Sequence, residues 1–194
     1  RLISEAERPV IISGHGVITS GGFAELKGLA ETTGIPVITT LLGLSGFPSS
    51  HPLSLGMLGM HGMYWANMAV HEADLIVGLG MRFDDRVTGK ASTFAPHARI
   101  IHLDIEATQV GRNVPVEVPL VGDARMVLEA LVPQVKHVHR PQWMGYIEQQ
   151  KRDHPSLAIP PSDTLQTQHV MTCLNELLQE DRESVVVTGV GLHQ

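Results

Sequence analysis

Short apolar runs recur along the first 135 residues, and glycine-bearing loops and stretches of helical spacing lie between them. Within residues 9–14 the apolar positions are consecutive rather than alternate, as they are in strands whose two faces are both covered by helices. Because strand-like apolar runs alternate with helical stretches along the chain, the sequence predicts an α/β fold with a doubly wound parallel sheet. The predicted strands lie over residues 9–14, 35–40, 73–80, 99–104 and 118–122.

Helix signals fall between these runs. Residues 23–33 have an apolar face at helical spacing, and Gly34 follows as a C-cap. Asp123 is an N-cap for a helix that continues to about residue 131. Residues 1–8 and 64–71 predict two further helices.

The chain changes character after residue 135. Residues 136–168 are rich in proline and histidine, and we interpret them as an interdomain linker with a short helix over 142–152. An amphipathic helix over 169–179 and a strand over 184–189 then predict the start of a further domain, 169–194. We expect 1–135 to be a complete central domain within a longer protein.

Composition excludes several classes of protein. Hydrophobic residues make up 43% of the chain, and the net charge of −6 argues against binding to nucleic acid. No apolar run approaches the roughly 20 residues that cross a bilayer. The single cysteine, Cys173, cannot form an internal disulfide, so we expect a cytoplasmic protein with Cys173 buried in its helix. We expect no metal site, because His137 and His139 lack a nearby carboxylate and no His-Glu-x-x-His motif is present.

Candidate chemistry lies after the predicted strands, because open parallel sheets bind ligands at the carboxyl ends of their strands. Gly14 and Gly16 follow the first strand, where glycines let backbone N–H groups approach a phosphate. Arg82 and Arg86 can clamp a pyrophosphate, and Asp104 stands where a carboxylate commonly accepts hydrogen bonds from ribose. Together these residues predict a dinucleotide site.

Simpler interpretations exist for the same residues. Gly14 and Gly16 lack the third glycine of the full fingerprint and also fit a tight turn. Arg82 and Arg86 also fit surface ion pairs with the two aspartates between them, each worth ~0–1 kcal/mol. Methionines are more often core filler than a cofactor surface. Segment 56–62, however, holds three glycines and predicts a loop against which a flat ligand could lie.

Three segments carry a resemblance to a known family. They are Thr-Thr-Leu-Leu-Gly-Leu at 39–44, Gly-Met-Leu-Gly-Met-His-Gly at 56–62 with Ala66-Asn67, and Arg-Phe-Asp-Asp-Arg-Val-Thr-Gly at 82–89. They resemble the large, catalytic subunit of acetohydroxyacid synthase (acetolactate synthase), and the last segment is highly specific. The resemblance covers the whole chain and implies the Rossmann-like central domain of a thiamine-diphosphate enzyme, followed by the opening of its third domain.

The resemblance implies that the central domain binds FAD, mainly in a structural role because the family's net reaction is not a redox reaction. Carried over by position, the first two glycines would lie by the phosphates, and the loop around residue 60 would line the isoalloxazine ring. The arginines would hold the pyrophosphate, and Asp104 with Ile105 the adenosine. The full set is Gly14, Gly16, Thr40, Leu41, Met57, Leu58, Gly59, Met60, His61, Gly62, Gly80, Arg82, Asp84, Arg86, Val87, Asp104, Ile105, Asp123 and Ala124.

The resemblance also implies thiamine diphosphate and Mg²⁺, whose sites lie mostly outside these 194 residues. Gly191 and His193 would touch thiamine diphosphate, and Leu192 stands where the family has a glutamine that helps to hold it. The family's catalytic glutamate and metal motif belong to segments absent here. We therefore expect no catalytic residue in this chain and no activity from it alone.

The reaction implied is decarboxylation of pyruvate and addition of the two-carbon unit to a second 2-ketoacid, in branched-chain amino-acid biosynthesis. The implied partners are ketoacid substrates, a homodimer or tetramer of large subunits, and a regulatory small subunit. Two alternatives remain. One is a fragment of a flavin-dependent pyruvate oxidase; the other is a non-catalytic spacer domain of the same fold, against which the intact loop with Arg82 and Arg86 counts.

Overall fold

The computed structural model of the protein describes residues 1–156, 159–178, 181, 183–187, 189 and 191. The chain forms two compact units, Arg1–His154 and Pro155–Gln194. In the first unit six strands form one sheet in which every neighbouring pair is parallel. The strands are β1 (Pro9–Ser13), β2 (Val37–Thr39), β3 (Ser54–Met57), β4 (Leu75–Leu79), β5 (Arg99–Asp104) and β6 (Val118–Val121).

The strand order is β3-β2-β1-β4-β5-β6, which confirms the doubly wound α/β fold. The chain builds outward from β1 in one direction, returns, and builds outward from β4 in the other, so the topological switch point lies between β1 and β4. The α-helices among the described residues are α1 (Leu2–Glu5), α2 (His15–Thr19), α3 (Phe23–Thr33), α4 (Tyr64–Glu72), α5 (Asp85–Thr88), α6 (Ala124–Leu131), α7 (Pro141–Asp153) and α8 (Thr167–Leu178).

Helices cover both faces of the sheet, which is why the strands are apolar at consecutive positions. All five residues of β1 are buried. One face packs against α3 and α6, through side chains such as Leu29 and Leu128. The other face packs against α4 and α7, through Ala69 and Ile147. Burial of the apolar surface on both faces is the main favourable term in the stability of such a sheet.

Two strand predictions need correction. The edge strand β3 was not predicted, and its last two residues fall in the segment that we expected to be a loop. Only one of its four side chains, Leu55, is buried, so it lacks the continuous apolar run of an inner strand. The predicted strand over 184–189 is not formed by the described residues 184–187, because no neighbouring strand in the described part of the second unit pairs with them.

Residues 136–154 differ from the linker that we expected, because they belong to the first unit and bond to its other elements. The buried guanidinium of Arg140 donates hydrogen bonds of 2.7–2.9 Å to the carbonyl oxygens of Ile3, Ala6 and Thr33. The buried indole of Trp143 donates to the carbonyl oxygen of Pro9 over 3.0 Å. These long-range bonds attach the start of α7 to α1, to the end of α3 and to β1, and burial lowers the pKa of Arg140.

The second unit contains α8, which begins two residues earlier than predicted. Cys173 is exposed, whereas we expected it to be buried. The described residues of this unit form no second layer against α8, so its apolar side chains stay accessible within the unit. None of the described helices combines the length and the hydrophobicity that a membrane-spanning segment needs.

Candidate dinucleotide site at the carboxyl edge of the sheet

The turns after β1 and β4 cross in direct backbone contact at the switch point. A methyl group on Gly16 would come within 2.7 Å of the Gly80 Cα, and one on Gly14 within 2.3 Å of the Gly80 carbonyl oxygen. Gly80 itself has a φ of 57°, in the left-handed region. The glycines are therefore required by this crossing, and they keep the floor of the sheet edge free of side chains.

We expected the N–H groups of Gly14 and Gly16 to face a phosphate, but both donate hydrogen bonds within the protein. Gly14 N–H donates to the carbonyl oxygen of Leu79 over 2.9 Å, and Gly16 N–H to that of Gly80 over 3.0 Å. Both donors are engaged inside the protein. These two glycines could therefore help a ligand to bind by allowing it to approach the backbone closely, but not by donating hydrogen bonds to it.

A cleft of about 520 Å³ opens beside the glycine crossing, between the ends of β5 and β6 and the start of α2. This volume falls in the range of ordinary cofactor sites. The predicted site residues that the structure brings together around it are Gly16, Gly80, Arg82, Asp104, Ile105, Asp123 and Ala124.

Asp104 lies at the end of β5 on the wall of this cleft and is only 8% exposed. Its Oδ1 accepts a hydrogen bond from the backbone N–H of Glu106 over 2.9 Å, which fixes the carboxylate in a local turn. No described residue donates to Oδ2. A fixed carboxylate with a free acceptor is the group that binds ribose hydroxyls in many dinucleotide folds.

Asp123 combines a structural and a candidate binding role. Its Oδ1 accepts from Met126 N–H over 3.1 Å, which confirms the predicted N-cap of α6. The same residue lines the cleft. Its presence is explained by the cap alone, so it is a weaker indicator of a ligand than Asp104.

The loop after β4 is anchored by a buried aromatic ring. Phe83 is 1% exposed and has a φ of 48°, which non-glycine residues rarely adopt. The neighbouring Arg82 side chain is 65% exposed and lies 3.4 Å from Asp84, so the ion pair that we considered is present but weak. Arg86 is exposed and forms no ion pair with any described residue. Arg82 lines the cleft, whereas Arg86 does not.

His102 on β5 is a residue that sequence reasoning did not select. It is buried, and its Nε2 lies 2.7 Å from the carbonyl oxygen of Met81 in the same loop. Burial lowers the pKa of His102, which favours the neutral ring. The available signal was a histidine inside an otherwise apolar strand.

The loop after β3 packs against the segment after β4 in backbone contact. Gly59 has a φ of 103°, and a methyl group there would come within 2.5 Å of the Arg86 carbonyl oxygen. The Asn67 side chain closes this loop, with its Oδ1 accepting from Gly59 N–H over 2.9 Å and its Nδ2 donating to Gly59 O over 3.1 Å. Met60 is 72% exposed and is therefore not core filler, whereas the Leu58 side chain is buried in the core.

The remaining predicted site residues take different positions. Thr40 begins a short 3-10 turn and its hydroxyl accepts from Gly43 N–H over 3.2 Å, which leaves Leu41 exposed on the same edge. Four further predicted residues do not line the cleft: Met57 ends β3, His61 and Gly62 lie in the loop after it, and Val87 lies in α5. Gly191 lies in the second unit, and His193 lies outside the described residues.

A larger cleft, about 680 Å³, lies elsewhere, between the N-terminal segment and α7. Arg140 lines it, but its guanidinium is already bound to backbone carbonyls. Within the described part of the chain, no three His, Cys, Asp or Glu side chains come together as a group that could hold a metal ion. The carboxyl edge therefore carries the clearer binding chemistry.

Comparison with known proteins agrees with this assignment of the fold. Residues 1–131 match the family model for the central domain of thiamine pyrophosphate enzymes. The whole chain is 42% identical over 201 positions to an acetolactate synthase of Mycobacterium leprae, and 44% identical over 200 positions to an acetolactate synthase large subunit of Corynebacterium glutamicum. A probable acetolactate synthase large subunit of Methanocaldococcus jannaschii is 43% identical over 205 positions. The chain spans 32–34% of the length of these relatives.

Proposed function

Since the chain belongs to the thiamine pyrophosphate enzymes, whose central-domain model it matches, we propose that it is part of an acetolactate synthase large subunit and that its first unit binds FAD. The identity of 41–44% to acetolactate synthases along the whole chain supports the synthase over a pyruvate oxidase. Because the chain spans about a third of those relatives, the activity is proposed for the full-length protein.

One observation carries the FAD proposal: Arg82 and Asp104 line the same cleft, beside a backbone crossing built from glycine. FAD requires cations for its pyrophosphate, an acceptor for its ribose hydroxyls and an apolar surface for its ring. The arginine, the carboxylate and the exposed side chains of Leu41 and Met60 fit those requirements. Gly14, Gly16 and Gly80 would let the pyrophosphate lie close to the backbone.

The proposed role of FAD is structural. Acetolactate formation joins two ketoacids and releases CO₂, with no net transfer of electrons, so the reaction does not need a flavin as an oxidant. Bound across the loops after β1, β4 and β5, the dinucleotide would stabilise the folded first unit by mass action. Thiamine diphosphate, when bound, supplies the carbanion chemistry of such enzymes. We propose that Gly191, with His193, would hold one edge of it and that Mg²⁺ binds outside these residues.

The decisive assay uses the full-length protein with pyruvate, thiamine diphosphate, Mg²⁺ and FAD under anaerobic conditions. Formation of acetolactate while the flavin stays oxidised is expected. Stoichiometric reduction of the flavin by pyruvate would instead identify an oxidase. If neither acetolactate nor reduced flavin forms, a non-catalytic spacer domain is the remaining alternative. Residues 1–194 prepared alone should form no acetolactate above a heat-killed control.

A further inference from the structure

Both peptide groups that flank Arg82 are held by side chains from other parts of the first unit. His102 Nε2 lies 2.7 Å from the carbonyl oxygen of Met81, which belongs to the peptide group before Arg82. Asn113 Nδ2 donates over 3.1 Å to the carbonyl oxygen of Arg82, which belongs to the peptide group after it. The backbone of the arginine that lines the cleft is thus fixed on both sides.

The proton position on His102 follows from its partner. A carbonyl oxygen only accepts, so Nε2 carries the hydrogen and Nδ1 presents a lone pair. Nδ1 is buried and has no hydrogen-bond partner among the described residues. The hydrogen bond to Met81 is therefore the one polar contact that the buried ring makes among the described residues, and it is made to the loop that carries Arg82.

His102 also contacts the loop through its ring. The His102 and Phe83 rings meet edge to face, with centroids 4.9 Å apart. Gly78 lies opposite His102 in the sheet, and a methyl group on Gly78 would come within 2.7 Å of the Phe83 ring. The missing side chain at Gly78 leaves the space that Phe83 fills. The histidine therefore holds the residues on both sides of Arg82, Met81 by a hydrogen bond and Phe83 by ring packing.

We propose that His102 and Asn113 are positioning residues of the dinucleotide site, which fix the loop so that Arg82 points at the diphosphate of the ligand. The proposal rests on the proposed FAD site and adds residues that do not themselves touch the ligand. Loss of either side chain should therefore weaken the binding of ligands that carry a diphosphate and leave the binding of a nucleoside unchanged.

The test compares His102→Leu, His102→Gln and Asn113→Ala in the full-length protein. Leucine removes both the donor and the unpaired nitrogen, whereas glutamine keeps an N–H donor at a similar reach. Asn113 is exposed, so its removal does not disturb the core. Dissociation constants for FAD, ADP and adenosine are measured by calorimetry, thermal unfolding is followed, and hydrogen exchange is measured over residues 82–88 without ligand.

His102→Leu is expected to weaken FAD and ADP by roughly 3- to 10-fold, as for loss of one hydrogen bond, with adenosine unchanged. His102→Gln should recover part of the affinity, and Asn113→Ala should show the same division between ligands. Amides of residues 82–88 should exchange faster in both the leucine and the alanine variants. His102→Leu also leaves the buried carbonyl oxygen of Met81 without its donor, so its unfolding temperature is expected to fall. Asn113→Ala, at an exposed position, should keep the unfolding temperature of the unmodified protein while it weakens FAD and ADP, which a merely structural contact would not combine.

Unchanged FAD and ADP affinity in His102→Leu and Asn113→Ala would overturn the proposal, and so would a parallel loss of adenosine. If the unmodified protein binds neither FAD nor ADP, the proposed FAD site fails on its own account. The exchange measurement still decides the structural part in that case, because unaltered exchange over residues 82–88 would show that the two side chains do not hold the loop.

Discussion

The backbone N–H of Gly16 donates a hydrogen bond to the carbonyl oxygen of Gly80 over 3.0 Å, at the point where the two halves of the doubly wound sheet meet. The contact joins the turn after β1 to the turn after β4, so it connects strands that build outward in opposite directions. Ligands of open parallel sheets bind at this position. The close crossing therefore shapes the fold and the candidate site together.

Replacement of Gly16 by alanine should disturb both the fold and the candidate site. The added methyl group would meet backbone atoms of Gly80, which cannot rotate away, so we expect a loss of about 1–3 kcal/mol in the free energy of unfolding and weaker FAD binding. Gly145→Ala is the matched control, because Gly145 is exposed within α7 and an added methyl group meets nothing there. It should raise stability by about 0.5–1 kcal/mol, as measured by urea unfolding. Equal stability of the two variants would refute the crossing as a steric constraint.

Arg82→Ala should weaken FAD binding by about 1.5–3 kcal/mol, or roughly 10- to 150-fold, because a charge-assisted hydrogen bond to the pyrophosphate is lost. Its ion pair with Asp84 is exposed and weak, so the folded state should be little affected. Arg99→Ala, at the opposite end of β5 and in a similar exposed pair with Glu117, should leave the FAD dissociation constant unchanged. If both variants bind FAD like the unmodified protein, Arg82 is not part of the site.

Asp104→Asn should distinguish the two halves of the dinucleotide. The amide keeps the shape of the side chain and its Oδ1 acceptor for Glu106 N–H, but removes the charge and one acceptor. We expect weaker binding of FAD and unchanged binding of riboflavin phosphate, since only FAD carries the adenosine. A parallel loss for both ligands, measured by fluorescence titration, would contradict the orientation that we propose.

Arg140→Met tests the attachment of α7 rather than the site. The thioether side chain leaves the buried carbonyl oxygens of Ile3, Ala6 and Thr33 without their donor, and each unpaired group costs about 1–3 kcal/mol. We expect the free energy of unfolding to fall by at least about 3 kcal/mol, followed by tryptophan fluorescence in urea. Arg140→Lys should lose less, because an ammonium group still donates. A neutral Arg140→Met substitution would show that α7 packs without this residue.

Local rules predicted those features that depend on a few neighbouring residues. Gly34 has a φ of 68° and ends α3, and Asp123 caps α6, as their residue types predicted. The inner strands were predicted because burial on both faces leaves a continuous apolar run. The edge strand β3 was missed because it buries one side chain of four, and packing rather than composition determines such a strand.

Long-range contacts were beyond sequence reasoning. Nothing in residues 136–154 indicates that Arg140 reaches the carbonyl oxygen of Ile3, 137 positions away. The contact of His102 with Met81 is likewise a product of strand register. Asp104 and Arg82 line one cleft because the carboxyl ends of adjacent parallel strands lie together, and that rule can be applied to a sequence. The engaged N–H groups of Gly14 and Gly16 depend on a backbone crossing that no motif describes.

We propose that the carboxyl edge of this sheet binds FAD, and calorimetric titration of FAD into the full-length protein measures that binding. We expect saturable binding of one FAD per chain. The combined variant Arg82→Ala and Asp104→Asn should bind FAD more weakly than either single variant. Absence of binding by the unmodified protein, or equal affinity in the combined variant, would rule out FAD binding at this edge.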